Sequence, residues 1–154
     1  MTKKIYISWK KFEELIEKLC AQVKKEEFDN ILCVSSGGLV VGKLLSDKLD
    51  LPLAVTSALA YEKGKKEAKE VFLDKRITSV RPLKRKILIV DDLVHTGKTM
   101  QKICNFLGKK YEIKTSVLYK KSSSKFMPDY YAEKVKSSIW IIFPYEKNEF
   151  KNLK

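Results

Sequence analysis

Residues 87–99, Ile-Leu-Ile-Val-Asp-Asp-Leu-Val-His-Thr-Gly-Lys-Thr, decide how this chain is read. Ile87 to Val90 are four apolar residues in a row, the pattern of a strand buried on both faces. Two adjacent carboxylates follow, Asp91 and Asp92. A buried strand rarely holds two unpaired acids, so the strand is expected to end there. The acids would then lie at its C-terminal edge, where open α/β sheets bind ligands. Thr96-Gly97-Lys98-Thr99 next opens a helix, whose unpaired backbone N–H groups, two hydroxyls and dipole suit one phosphate. An acid pair able to hold a diol, just ahead of a phosphate cradle, describes a ribose 5-phosphate site. Gly97-Lys98-Thr99 also looks like the end of a Walker A loop, but that loop needs a glycine where this chain has Asp92. An ordinary strand, turn and helix would explain each part alone; their common register favours a site.

Outward from this stretch, helical and extended patterns alternate, as an α/β fold requires. Ser8 can cap a helix carrying Phe12, Leu15, Ile16, Leu19 and Val23 at helical spacing. Asn30 to Val34 reads as a short strand, and Leu39, Val41, Leu44, Leu45 and Leu49 mark a second helix ending near Asp50-Leu51-Pro52. Leu53 to Ser57 is the next strand. Residues 61–84 are charged and weakly patterned, without a Pro/Gly-rich linker, and read as a mobile lobe rather than a domain boundary. A helix over 99–107 is expected to stop at Gly108, and Thr115 to Tyr119 is another strand. Between the first strand and second helix lies Ser35-Ser36-Gly37-Gly38. Its backbone N–H groups can face an anion, and its two glycines allow close approach.

With 154 residues the chain can form one substantial core, so a single domain over 1–154 is expected. No apolar run approaches the length of about 18 residues that a membrane helix needs, and Met-Thr-Lys-Lys-Ile-Tyr does not read as a signal peptide. Cys20, Cys33 and Cys104 match neither a disulfide framework nor metal spacing, and each reads as a small core residue. A cytoplasmic location is expected. The net charge of +13 comes largely from scattered lysines rather than an arginine-rich block. It fits a solvated surface attracting small polyanions better than a nucleic-acid interface.

The stretch at 87–99 resembles the signature of the type I phosphoribosyltransferases, which use phosphoribosyl pyrophosphate (PRPP). Three further segments resemble that family's xanthine-guanine, or 6-oxopurine, branch: Leu118-Tyr119-Lys120-Lys121, Pro128-Asp129-Tyr130-Tyr131, and Trp140-Ile141-Ile142-Phe143-Pro144-Tyr145-Glu146. The opening Tyr6-Ile7-Ser8-Trp9 does too. The resemblance implies a central, mainly parallel sheet flanked by helices, a small C-terminal hood at about 121–146, and a loop in the 61–84 lobe, hinged near Tyr61, that closes over the site. It implies that Asp91 and Asp92 hold the ribose hydroxyls. Leu93, Val94, His95, Thr96, Gly97, Lys98 and Thr99 would surround the 5-phosphate, and Ser35, Ser36, Gly37 and Gly38 the pyrophosphate. The family usually reads Ser-Arg-Gly-Gly at that second turn, often with a strained peptide bond. With Ser36 in the arginine's place, Lys43, Lys65 or Lys66 is expected to supply the missing charge.

For the base, the resemblance implies that Lys121 donates to the purine 6-oxo group, Trp140 stacks on the ring and Ile141 offers backbone groups; Lys120 is the neighbouring alternative. Mg²⁺ would accompany PRPP, with Asp91 the candidate carboxylate, directly or through water. His95 occupies the place of a branch aspartate near purine N7. It would either exchange a proton there, alongside Asp91 and Asp92 as catalytic groups, or simply pack in the phosphate loop. The implied reaction is purine salvage, in which a base and PRPP give a nucleotide and pyrophosphate, by a homodimer or homotetramer. Two alternatives stay open: an RNA-binding regulator built on the same fold, and a transferase for adenine or another base.

Overall fold

The computed structural model describes residues 3–61 and 70–148. A six-stranded sheet runs through the molecule. It is formed by β2 (Asn30–Ser35), β3 (Leu53–Tyr61), β4 (Glu70–Ser79), β5 (Lys86–Val94), β6 (Glu112–Lys121) and β7 (Tyr130–Val135) in the order β4-β3-β2-β5-β6-β7. Every neighbouring pair is parallel except β3 with β4. A separate parallel pair joins β1 (Lys3–Tyr6) to β8 (Ile139–Ile142).

Both faces of the central sheet are covered, so its inner strands carry unbroken apolar runs. Ile31, Leu88 and Val90 face α1 (Trp9–Val23) and α2 (Gly38–Leu49), meeting Phe12, Leu15, Leu19, Val41 and Leu45. Leu32, Ile87 and Ile89 face α3 (Lys98–Leu107), meeting Met100, Ile103 and Leu107. α1 begins at Ser8, whose side chain accepts from the Lys11 N–H, and α3 ends at Gly108 with φ 59°. Cys20 and Cys33 are buried and Cys104 half-buried; burial pushes the thiols of Cys33 and Cys104 up to about 11, so neither is a reactive thiolate.

α2 and α3 leave adjacent parallel strands toward opposite faces of the sheet. The gap between the C-terminal ends of β2 and β5 is therefore a topological switch point, where α/β sheets place ligands.

Three expectations change. β5 does not end at the acids but runs two residues past them: Asp91, Leu93 and Val94 stay paired with Val117, Tyr119 and Lys120 of β6, because backbone pairing continues whatever the side chains. The 61–84 segment contains a regular strand, β4, paired antiparallel to β3 up to Tyr61↔Glu70, while residues 62–69 lie outside the described residues. The hood is not purely C-terminal, since the N-terminal strand β1 forms half of its sheet.

Candidate active site

Two helices start at the switch point, and both do so on glycine. Gly37 precedes α2 and Gly97 precedes α3, and neither helix has a side-chain cap, unlike α1. Within these first turns the Leu39 N–H donates to the Ser36 carbonyl at 3.2 Å and the Lys98 N–H makes a long 3.4 Å contact to Thr96 Oγ1, and the dipole of each helix start favours an anion. The Ser35–Ser36 peptide bond is cis. Gly37 and Gly38 are required by contact: a Cβ on Gly38 would lie 2.5 Å from the Val90 carbonyl oxygen, and one on Gly37 2.6 Å from Asp92 Oδ2. The turn after β2 therefore sits directly on the acid end of β5. Gly97 has φ 88°, and its Cβ would overlap Phe126 Cβ at 2.0 Å, so Phe126 holds the phosphate-type loop from behind.

Asp91 and Asp92 are half-buried rather than fully solvent-facing. Asp91 Oδ1 accepts from the Asp92 N–H at 2.9 Å, and Asp92 Oδ2 accepts from the Tyr145 hydroxyl at 3.0 Å. Burial raises both carboxyls. Asp92 is pushed up to about 6, and Asp91 is raised well above the usual aspartate range, with the neighbouring Asp92 charge adding to the effect. The fold holds an excess of negative charge there that a cation or a hydroxyl donor would relieve.

Beside the pair lies a cavity of about 240 Å³, lined among others by Asp92, His95, Lys121, Trp140 and Ile141. The chain thus brings residues from β5, β6 and β8 together. Lys121 is 4% exposed, its ammonium donates to the Ile139 carbonyl, and burial lowers its pKa. Lys120 points elsewhere: its Nζ donates to the carbonyls of Lys121 and Ser124, so Lys121 is the lysine at this cavity. Trp140 is 42% exposed, leaving its indole accessible. His95 also lines a second cavity of about 670 Å³ behind the loop, together with Thr96, Gly97, Lys98 and Phe126.

Lys43, expected to replace the missing arginine, is paired with Asp47 instead, one helical turn away. Lys65 and Lys66 lie outside the described residues. The sequence reading gave no role to Tyr145 or Phe126. Tyr145 stood inside a quoted segment, but nothing local signals that its hydroxyl reaches Asp92.

Among the described residues no cluster of three or more His, Cys, Asp or Glu side chains could hold a metal. Two adjacent carboxylates with raised pKa values nevertheless form a hard-oxygen donor set. That set fits Mg²⁺, which keeps several waters and takes one or two carboxylates plus substrate phosphates.

Residues 2–149 match the family model described as the phosphoribosyl transferase domain. The chain is 27% identical over 145 residues to a xanthine-guanine phosphoribosyltransferase of Idiomarina loihiensis, covering 94% of this chain and 88% of the relative. A solved purine phosphoribosyltransferase from Pyrococcus horikoshii superposes with TM-score 0.77 at 32% identity, covering 94% of each chain. The Helicobacter pylori xanthine-guanine-hypoxanthine phosphoribosyltransferase shares the fold, with TM-score 0.76 at 24% identity over 97% of each chain.

Proposed function

The chain belongs to the phosphoribosyl transferase family, and we propose that its site moves the 5-phosphoribosyl group of PRPP onto a 6-oxopurine: guanine, xanthine or hypoxanthine. Purine phosphoribosyl transfer, a pentosyltransferase reaction, rests on the family match and on purine-specific relatives. The 6-oxo preference is the finer claim. One observation carries it: Lys121 and Trp140 share a single cavity with Asp92 and His95. An ammonium suits a purine carbonyl oxygen, and an indole face suits a flat heterocycle.

In this reading the start of α3 and the loop from His95 to Thr99 hold the 5-phosphate, while Ser35 to Gly38 hold the pyrophosphate. Asp91 and Asp92 accept hydrogen bonds from the ribose hydroxyls. Purine N9 displaces pyrophosphate at C1 of the sugar, and the carboxylates stabilise the positive charge that develops there. His95 takes the N7 proton in this reading. Asp91, directly or through water, is the carboxylate that would hold Mg²⁺. Bound with PRPP, that ion supplies positive charge to the departing pyrophosphate.

Product binding tests the base preference. Quenching of indole fluorescence on titration with the 5′-monophosphates of guanine, xanthine or hypoxanthine is expected, with adenosine monophosphate at least about ten-fold weaker. Equal affinity for the adenine nucleotide would reassign the base. Strongly salt-dependent RNA binding without nucleotide binding would overturn the enzyme reading.

A further inference from the structure

Tyr145 touches both halves of the site at once. Its ring is anchored: it stacks on Phe143 with centroids 5.4 Å apart and planes 2° apart, and it meets the Phe12 ring edge-on at 5.6 Å. The short 3-10 turn Pro144–Glu146 that carries it is closed by Glu146 Oε2, which accepts from the Phe143 N–H at 2.8 Å. From this fixed ring the hydroxyl lies 3.0 Å from Asp92 Oδ2 and 3.3 Å from the Gly37 carbonyl oxygen. One O–H hydrogen serves one acceptor at a time, and the shorter contact to a carboxylate is the stronger. Asp92 and Gly37 also press on each other directly, leaving no room for a Cβ at residue 37.

We propose that Tyr145 is a positioning residue for PRPP: its hydroxyl donates to the Asp92 carboxylate and so holds it against the Ser35–Gly38 turn, whose Gly37 carbonyl is the hydroxyl's alternative acceptor. The proposal rests on the PRPP reading above. The ribose acid and the pyrophosphate turn then form one pre-assembled unit, which lowers the ordering cost of binding a ligand that spans both. When a ribose hydroxyl competes for Asp92, the tyrosine O–H can turn to the Gly37 carbonyl, so no buried donor is stranded.

Tyr145→Phe removes the hydroxyl and keeps the aromatic packing. The variant is expected to bind PRPP about ten-fold more weakly, by calorimetry with Mg²⁺ present, the loss of one hydrogen bond to a charged acceptor. KM for PRPP should rise in step, while KM for the purine stays within about two-fold and Tm within about 2 °C. In an Asp92→Ala background the same substitution should change PRPP affinity by less than about two-fold, because the hydroxyl acts through that carboxylate. Gly37→Ala, which crowds Asp92 from the other side, should also weaken PRPP selectively. Unchanged PRPP affinity in Tyr145→Phe, a full effect persisting without Asp92, or an equal loss for purine and PRPP would each overturn the proposal. Failure of the wild-type protein to bind PRPP at all would instead mark failure of the functional reading, and the proposal would fall with it.

Discussion

Asp92→Asn is expected to stabilise the ligand-free chain at neutral pH while removing most of its activity. Asp92 is half-buried beside Asp91, and its carboxyl is pushed from the usual 3.8 up to about 6, chiefly by burial. A carboxyl raised in the folded state contributes its full stability below the unfolded value. That contribution is lost as pH rises through the folded value. Between about pH 4 and 7 the shift corresponds to about 3 kcal/mol, at 1.36 kcal/mol per unit. Asparagine removes the charge but keeps an oxygen for the Tyr145 hydroxyl, so about 1–3 kcal/mol should be recovered at pH 7.5. For a chain of this size that is a Tm increase of about 3–10 °C. The assay is thermal unfolding across pH 4 to 8, without PRPP and with a chelator present. Turnover is measured separately, where losing a charge-assisted bond to the ribose should lower kcat/KM by about ten-fold or more. The Tm gain should vanish near pH 4, where the native carboxyl is already neutral. A variant less stable than wild type at pH 7.5, or equally stabilised at both extremes, would refute the reasoning.

Lys121→Met should raise KM for the purine with little change for PRPP, lowering kcat/KM by about ten-fold or more through loss of a charged donor; Lys120→Met should instead lower Tm, because its ammonium satisfies two carbonyls around the 121–124 turn. His95→Asn should lower kcat for nucleotide synthesis with PRPP affinity unchanged, and full kcat in that variant would make His95 a loop residue only. Gly97→Ala should lower Tm and raise KM for PRPP, since φ is 88° and Phe126 blocks the new methyl. Gly108→Ala meets open space but needs φ 59° and ψ −152°, a conformation essentially reserved for glycine, and should cost about 1–3 kcal/mol of stability while leaving kinetics unchanged.

The strand at Ile87 to Val90, the glycine turns and the apolar positions of α1 and α2 were legible because each is a local pattern of periodicity and turn chemistry. The Ser8 cap and the Gly108 stop appear where those residue types place them. β4 was not legible. As an edge strand its Glu70–Ser79 run is mixed in character and buries few side chains, so no alternation marks it. β1 was hidden for a related reason, being short, lysine-bearing and paired with β8 from the far end of the sequence. The acid pair could be seen, but not that β5 runs on through it, because backbone pairing with β6 leaves no trace in side-chain type. The Tyr145–Asp92 contact joins residues 53 apart and depends on how the hood folds back over the sheet. Only the assembled structure reveals it.

Pyrophosphate release tests the central claim most directly. The purified protein is given PRPP and Mg²⁺, with guanine, xanthine, hypoxanthine or adenine supplied separately. Release with at least one 6-oxopurine, absent without a base and at least about ten-fold slower in kcat/KM with adenine, is the predicted result. No release with any purine, or release with adenine alone, would contradict it.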